Sequence, residues 1–227
     1  MLIFVHIPKT AGTTFKNLLV PELKLNPDEV IVVESRGWNN HSDRMFTNER
    51  PGLNGVVPLK PVYTTKLIVG HFRADKFKPI YPDGTYITWL RDPIERLISS
   101  YYYYLLIDPS RYGNIAKVHR KYDPVSLEYF ATRTYNSNIM SDQLNIPLDN
   151  FKFIGISEHF DKEIARYDSI MGTNMSGLKS YNNHNVNPAK TNYQEKYEIP
   201  NDLRQKLIEL NREDYELYNK CLKIAGY

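Results

Sequence analysis

Short apolar runs alternate along the chain with segments in which apolar residues recur every three or four positions. The runs lie at residues 2–5, 67–69, 86–90 and 153–156. They are rich in β-branched or aromatic residues, which is typical of buried strands. Strands that alternate with amphipathic helices predict an α/β fold, with a mainly parallel sheet flanked by helices on both faces.

One helix has a well-marked beginning at Asp92. Pro93 follows at the first helical position and Glu95 at the third, so that the segment forms an Asp version of the capping box. From Ile94 to Leu105 the apolar residues keep a helical period. We therefore expect a helix that starts directly after the strand at residues 86–90.

Two long stretches show neither pattern. Residues of about 21–65 and 172–199 are rich in Asn, Pro and Gly, and are predicted to be an irregular insert and a late loop. After residue 200, leucines recur with a helical period, which predicts one helix or two with a break near Asn211. No repeat or shift in composition marks a boundary, so we expect residues 1–227 to form a single domain.

The composition narrows the class of protein. The chain has 227 residues, of which 41% are hydrophobic and 24% charged, and this excludes wholesale disorder. Its 29 Lys and Arg residues against 26 Asp and Glu give a net charge of +3. That charge suits an anionic small molecule or an acidic polymer and is too small to indicate nucleic acid. Cys221 is the only cysteine, which excludes an intrachain disulfide and a multi-cysteine zinc site.

The first residues lack both a basic leader and a long apolar stretch. The first apolar run stops at His6, whereas a membrane helix needs about 20 apolar residues. We therefore expect a cytoplasmic protein without a membrane span.

A phosphate-binding loop is predicted between the first strand and the first helix. The segment PKTAGTT, residues 8–14, combines small residues with Lys9 and the hydroxyls of Thr13 and Thr14. A turn of this kind presents backbone N–H groups and the positive end of the helix dipole to an anion. It is not a Walker A loop, because G-x-x-x-x-G-K-[ST] is absent and the lysine lies near the start of the loop. The alternative is an ordinary capped turn.

Two further candidates lie at the ends of later strands. Arg91 ends the third predicted strand, where its guanidinium could bind a phosphate through two hydrogen bonds, and Ser99 follows two turns into the helix. Taken alone, an Arg and a Ser near a helix start more often bond only to the local backbone. His71 follows Gly70 at the end of the second predicted strand, where ligands of open parallel sheets bind.

A histidine with an ordinary pKa of about 6.5 suits the role of general base. His6 occupies a comparable strand end, so position does not distinguish it from His71. The other four histidines show no spacing with carboxylates that would indicate a metal site; they are His41, His119, His159 and His184.

In this order, these segments resemble the sulfotransferase superfamily that uses 3′-phosphoadenosine 5′-phosphosulfate (PAPS). They are most similar to carbohydrate O-sulfotransferases of the heparan sulfate 2-O- and 6-O- type and their bacterial relatives. Residues 4–15, FVHIPKTAGTTF, resemble the loop for the 5′-phosphosulfate, and residues 91–99, RDPIERLIS, the 3′-phosphate motif. Gly70-His71-Phe72 resembles the position of the catalytic histidine, and residues 153–158, FIGISE, a segment shared by bacterial members.

The resemblance implies a P-loop-NTPase-like sulfotransferase fold, PAPS as the donor, adenosine 3′,5′-bisphosphate as the product, and no requirement for a metal. It implies His71 and Lys9 as catalytic residues. Residues 185–190 are similar to the late loop that closes over the cofactor, which adds a lysine to the site. The implied cofactor-binding residues are Lys9, Thr10, Ala11, Gly12, Thr13, Thr14, Arg91, Ser99 and Lys190.

Four consecutive tyrosines, residues 101–104, follow the 3′-phosphate motif. Tyr101 and Tyr102 fall on the apolar stripe of the helix and are predicted to pack in the core. Tyr103 lies one turn beyond Ser99 and is predicted to approach the cofactor side.

The implied acceptor is a hydroxyl group on a carbohydrate, and a tyrosine, a lipid or a small molecule is an open alternative. The sequence leaves the oligomeric state open. Two other functions compete. A small kinase or NTPase would need a lysine beside the loop hydroxyl and an acidic magnesium ligand. A non-catalytic nucleotide- or glycan-binding module would be expected to lack Lys9, His71 or Arg91, and all three are present.

Overall fold

The apolar runs form the strands of one parallel sheet. The computed structural model of the protein describes residues 1–33, 64–106, 126–177 and 197–227. The five strands lie in the order β2-β3-β1-β4-β5, and every neighbouring pair is parallel. This confirms the predicted α/β architecture. The strands are β1 (Leu2–Val5), β2 (Val30–Val33), β3 (Leu67–Gly70), β4 (Thr85–Leu90) and β5 (Phe151–Ile156).

Helices flank the sheet. The described α-helices are α1 (Gly12–Glu22), α2 (Pro93–Leu106), α3 (Leu127–Ala131), α4 (Ile139–Gln143), α5 (Phe160–Met171), α6 (Asn201–Leu210) and α7 (Arg212–Ala225). The break between α6 and α7 falls at Asn211, as the leucine pattern predicts. Within the described ranges, no helix has the length and apolar character needed to cross a bilayer. Short 3₁₀ turns lie at Pro27–Glu29, Ala74–Lys76, Thr134–Asn136, Leu148–Asn150, Ser157–His159 and Met175–Gly177.

Strand β1 contributes to the core on both faces of the sheet. Phe4 packs with Phe15 of α1, and their ring centroids are 5.2 Å apart. Ile3 and Val5 point to the opposite face, where they share a core cluster with Tyr218 of α7. All four residues of β1 are buried, as expected for a central strand with helices on both sides.

The structure corrects three expectations about element bounds. Strand β2 lies inside the stretch 21–65 that is predicted to be irregular. Its run VIVV is as long as that of β1, but it stands in a stretch rich in Asn, Pro and Gly, where pairing with β3 stabilises it. The sequence predicts a first helix from about Thr13 to Leu19, whereas α1 spans Gly12–Glu22, since the fixed φ of Pro21 is compatible with a last helical turn. Strand β5 begins at Phe151, two residues earlier than predicted.

The topology brings three strand ends together. At the carboxyl end of β1, Val5 pairs with Gly70 of β3 on one side and Thr88 of β4 on the other. A methyl group on Gly70 would overlap the carbonyl oxygen of Val33, and the N–H of His71 donates to that same oxygen at 3.0 Å. The segments that follow β1, β3 and β4 therefore emerge side by side at one edge of the sheet.

Candidate functional site

The loop between β1 and α1 is held in shape from within. Thr10 is buried, and its hydroxyl donates a hydrogen bond of 2.8 Å to the carbonyl of Ile7. Lys9 and Ala11 both adopt left-handed backbone conformations, with φ of 69° and 64°. Such a conformation costs an L-residue about 1–2 kcal/mol. Strained backbone held by surrounding contacts is concentrated at functional sites, which favours a ligand-binding role for this loop.

Helix α1 receives no side-chain acceptor from the residue before it, whose carbonyl accepts only from the N–H of Phe15. Ala11 occupies the N-cap position and has no side-chain oxygen, and the first turn contains no acidic residue. The N–H groups of this turn and the positive end of the helix dipole therefore favour an anion at this point. Thr13 is exposed here, whereas Thr14 is buried.

The ammonium group of Lys9 lies over the ring of Tyr103, with Nζ 4.2 Å from the ring centroid. Burial, and then the charge of Arg91, lowers the pKa of Lys9 from 10.5 to about 8. The contact with Lys9 shows that Tyr103 faces the loop. Tyr101 and Tyr102 are half-buried. An anion bound beside Lys9 would offset the repulsion from Arg91.

Arg91 joins this loop to the start of α2. Its guanidinium donates a hydrogen bond of 3.2 Å to the carbonyl oxygen of Lys9 and lies 4.0 Å from the carboxylate of Glu95. The Arg91 side chain is only 16% exposed. The two predicted cationic residues are thus brought together although 82 positions separate them in the chain.

Helix α2 has the N-cap that its sequence predicts, but not the reciprocal bond of a capping box. The N–H of Asp92 donates to the Glu158 carboxylate at 2.9 Å, and the Glu95 carboxylate accepts from the N–H of Tyr197 instead. One oxygen of Asp92 accepts hydrogen bonds of 3.0 Å from the N–H groups of Ile94 and Glu95. Pro93 has no N–H to donate. The free N–H groups of this first turn are therefore occupied by the helix's own N-cap residue.

Ser99 lies on α2 one turn beyond Glu95 and is buried under Tyr197. Its hydroxyl is hydrogen-bonded to the phenol of Tyr197, which also stacks on Tyr102 at 5.5 Å between ring centroids. The N–H of Tyr197 donates to the Glu95 carboxylate at 2.9 Å. The sequence interpretation missed Tyr197, because no local motif marks a contact between residues 102 positions apart. An anion bound to Ser99 would compete with this phenol.

His71 is oriented by the backbone of β1. Its Nδ1 lies 2.6 Å from the carbonyl oxygen of His6. A carbonyl can only accept, so Nδ1 carries the hydrogen and Nε2 has the lone pair, which is the tautomer of a base at Nε2. The two imidazole rings are 4.6 Å apart between centroids.

The environment of His6 differs from that of His71. Burial is the largest cause that lowers the pKa of His6 well below 6.5. Repulsion from His71 in its protonated form, from Lys16 and from Lys9 lowers it further. His6 therefore stays neutral at physiological pH. The two histidines occupy equivalent places in the sequence, at the ends of strands. The structure shows that their environments differ.

One predicted residue, Lys190, lies outside the described residues. In the part of the chain that the structure describes, no group of three or more His, Cys, Asp or Glu side chains could hold a metal ion. The residues brought together at the sheet edge are Lys9, Thr10, Ala11, Gly12, Thr13, Thr14, His71 and Arg91. Ser99 lies on α2, where it contacts Tyr197.

The sequence of the chain matches the model of one protein family. The model of the sulfotransferase family matches residues 1–220 of the chain. Among solved structures, the chain is similar to a crystal structure of a sulfotransferase from Alicyclobacillus acidocaldarius, with 14% sequence identity and a TM-score of 0.41. This similarity covers 94% of this chain and 92% of that chain. No curated protein matches the chain.

Proposed function

The chain belongs to the sulfotransferase family, and we propose that it transfers the sulfuryl group of PAPS to a hydroxyl group on a carbohydrate by in-line displacement. The observation that carries this proposal is the convergence of Lys9, Arg91 and His71 at the carboxyl ends of three adjacent strands. Two cations and an oriented imidazole at one edge suit a donor with two separate anionic groups and an acceptor that must lose a proton.

The residues present fit the two anionic groups of PAPS. Lys9 and the first N–H groups of α1 would hold the 5′-phosphosulfate, because both supply positive charge at the same loop. Arg91 would hold the 3′-phosphate, with the Ser99 hydroxyl as a second donor. This second site would select PAPS over ATP, which has no 3′-phosphate. We place Lys190 in the cofactor site as well, from the resemblance of residues 185–190.

When bound, PAPS supplies an electrophilic sulfur and a phosphate leaving group. Nε2 of His71 would take the proton of the acceptor hydroxyl while the hydroxyl oxygen bonds to sulfur and the bond between sulfur and the bridging phosphate oxygen breaks. The carbonyl of His6 would stabilise the imidazolium through the Nδ1–H bond. General-base catalysis of this kind is typically worth ~10²–10⁴-fold in rate.

Lys9 would stabilise the negative charge that grows on the bridging oxygen. Its ammonium lies over the ring of Tyr103, beside the loop that would hold the 5′-phosphosulfate. A fixed positive charge at the point where charge develops is usually the largest single contribution to catalysis of group transfer. Lys9 is therefore proposed as both a cofactor-binding and a catalytic residue.

A carbohydrate acceptor is supported by the resemblance to heparan sulfate-type enzymes and by the aromatic surface beside the loop. Tyr103 is 47% exposed although it contacts Lys9. A partly exposed aromatic ring beside the loop suits stacking on a sugar ring.

The test uses the full chain with labelled PAPS and a panel of polysaccharide, peptide and phenol acceptors. We expect transfer to a polysaccharide, and we expect His71→Ala to lose turnover by ~10²–10⁴-fold while it still binds adenosine 3′,5′-bisphosphate. The matched control is His159→Ala, which removes a histidine stacked on Tyr227 at 3.8 Å and should leave turnover unchanged.

Three results would contradict the proposal. Unchanged sulfation by His71→Ala would remove His71 from the base role. Transfer to phenols alone would overturn the carbohydrate acceptor. Tighter binding of ATP with magnesium than of adenosine 3′,5′-bisphosphate would favour a kinase or NTPase instead.

A further inference from the structure

The side chain of His6 has no role in the mechanism above, yet it lies between the phosphate loop and the base. We propose that His6 is a positioning residue whose ring sets the separation and orientation of His71 relative to the loop. This inference rests on the proposed function, because it assigns His6 a role through His71.

The His6 ring is enclosed by three different elements. It stacks on Phe4 of β1, with ring centroids 5.4 Å apart and an interplanar angle of 20°. It lies 4.6 Å from the His71 ring at 41°. On its third side the ring lies against Gly12, the first residue of α1. A methyl group on Gly12 would overlap Cδ2 and Nε2 of the His6 ring. The ring therefore fills the space between the base and the beginning of the phosphate-binding helix.

The backbone of His6 is bonded to the same strand end independently of its ring. The N–H of His6 donates to the carbonyl of Gly70 at 2.8 Å, and its own carbonyl accepts from Nδ1 of His71. A change of the side chain leaves both bonds possible. Any effect of such a change on turnover then reports the packing of the ring rather than the loss of these hydrogen bonds.

A neutral ring suits this place. Lys9 and Lys16 lie on the loop and on α1, and His71 would gain a proton during the reaction. A second positive charge directly beside His71 would oppose that step. The burial of His6 among these cations keeps its imidazole uncharged, so that it can pack against His71 without repelling the protonated form.

The first test is His6→Ala, with kcat, the KM for PAPS and the affinity for adenosine 3′,5′-bisphosphate measured separately. Misplacement of a catalytic group by about 1 Å can cost ~10²-fold in rate, so we expect kcat to fall by at least about tenfold. The affinity for adenosine 3′,5′-bisphosphate should stay close to that of the wild type, because the cationic residues that bind it are unchanged. His159→Ala serves again as the matched control and should behave as the wild type.

The second test uses the contact with Gly12. In Gly12→Ala the added methyl group must displace the His6 ring, so we expect both a lower kcat and weaker binding of adenosine 3′,5′-bisphosphate. In the double variant His6→Ala/Gly12→Ala there is no ring to displace. Its nucleotide affinity should return to that of His6→Ala, while kcat stays as low as in His6→Ala. The two substitutions are thus expected to be non-additive, as they are for residues in direct contact.

The outcomes separate this inference from the proposed function. If the wild type transfers sulfate, His71→Ala does not and His6→Ala keeps the wild-type kcat, His6 has no positioning role and the proposed function stands. If Gly12→Ala weakens the binding of adenosine 3′,5′-bisphosphate equally with and without the His6 ring, the inference is also overturned. If His6→Ala does not fold, a wild-type kcat for Gly12→Ala contradicts the positioning role of His6. A wild type that transfers no sulfate contradicts the proposed function, and the role of His6 falls with it.

Discussion

The segments after β1 and after β4 are both strand-to-helix junctions at the same edge of the sheet, yet they are built in opposite ways. The junction after β1 places Ala11 at the N-cap, with a left-handed backbone and no side-chain acceptor. The junction after β4 places Asp92 there, and its carboxylate accepts the N–H groups of Ile94 and Glu95. The first helix therefore begins with N–H groups that suit a ligand, and the second satisfies its own.

The difference shows two ways to bind a phosphate at a helix start. At α1 the backbone itself is the main source of donors, and Lys9 adds charge from the loop. At α2 the capped N–H groups contribute less, so a phosphate there depends on the side chain of Arg91, held by the carbonyl of Lys9. The α1 site is thus sensitive to the charge at its N-cap, whereas the α2 site is sensitive to the side chain of Arg91.

The largest expected effect comes from giving the α1 junction the carboxylate of the α2 junction. Ala11→Asp places a negative charge where the 5′-phosphate would bind, and like charges in contact cost several kcal/mol, so we expect the affinity for adenosine 3′,5′-bisphosphate to fall by about 10²-fold. Isothermal titration calorimetry measures it.

Ala11→Asn is the matched neutral control and should bind close to the wild-type value. Asn and Asp both tolerate the left-handed backbone at this position, so neither variant should lower the midpoint of thermal unfolding. Equal affinities for the Asp and Asn variants would contradict an anion site at the start of α1.

An intermediate effect is expected from pH, through Lys9. An anion favours the protonated amine, whose pKa in the free protein is about 8, so affinity should decrease as the pH rises through 8. From pH 7 to pH 9 the protonated fraction of Lys9 falls about tenfold, and the affinity for adenosine 3′,5′-bisphosphate should fall by up to the same factor. The nucleotide's own phosphate groups titrate near pH 6 and contribute little in this window.

Lys9→Arg provides the control for this pH dependence. A guanidinium stays protonated throughout this pH range, so the variant should bind with nearly constant affinity between pH 7 and pH 9. A decline in Lys9→Arg that matches the wild type would show that another group causes it.

The smallest effect is expected from removing the cap of α2. Asp92→Ala should lower the free energy of unfolding by about 1 kcal/mol, which corresponds to a midpoint about 2–4 °C lower for a chain of this size. Nucleotide affinity should change little, since Arg91 remains. Asp92→Asn keeps an acceptor and should retain most of the stability. A large loss of affinity in Asp92→Ala with an unchanged midpoint would assign Asp92 to the binding site instead of to the helix.

Much of the local structure could be predicted because its causes are local. The apolar run of β1 has the bounds expected from the sequence, and the cap at Asp92 needs only neighbouring residues. Strand β2 was missed although its apolar run is as long as that of β1, because the stretch around it is rich in Asn, Pro and Gly and its pairing with β3 joins distant segments. The contact of Tyr197 with Glu95 likewise depends on packing between distant segments.

By itself, the sequence determined which side chains end the strands and which turns can bind an anion, because periodicity, capping and loop chemistry act over a few residues. Only the tertiary structure decided that these ends meet, since the strand order places β1 between β3 and β4. It also distinguished His71 from His6. The two histidines are equivalent as strand-end residues, and they differ because the His6 carbonyl accepts from Nδ1 of His71 while the His6 ring is enclosed by Gly12 and Phe4.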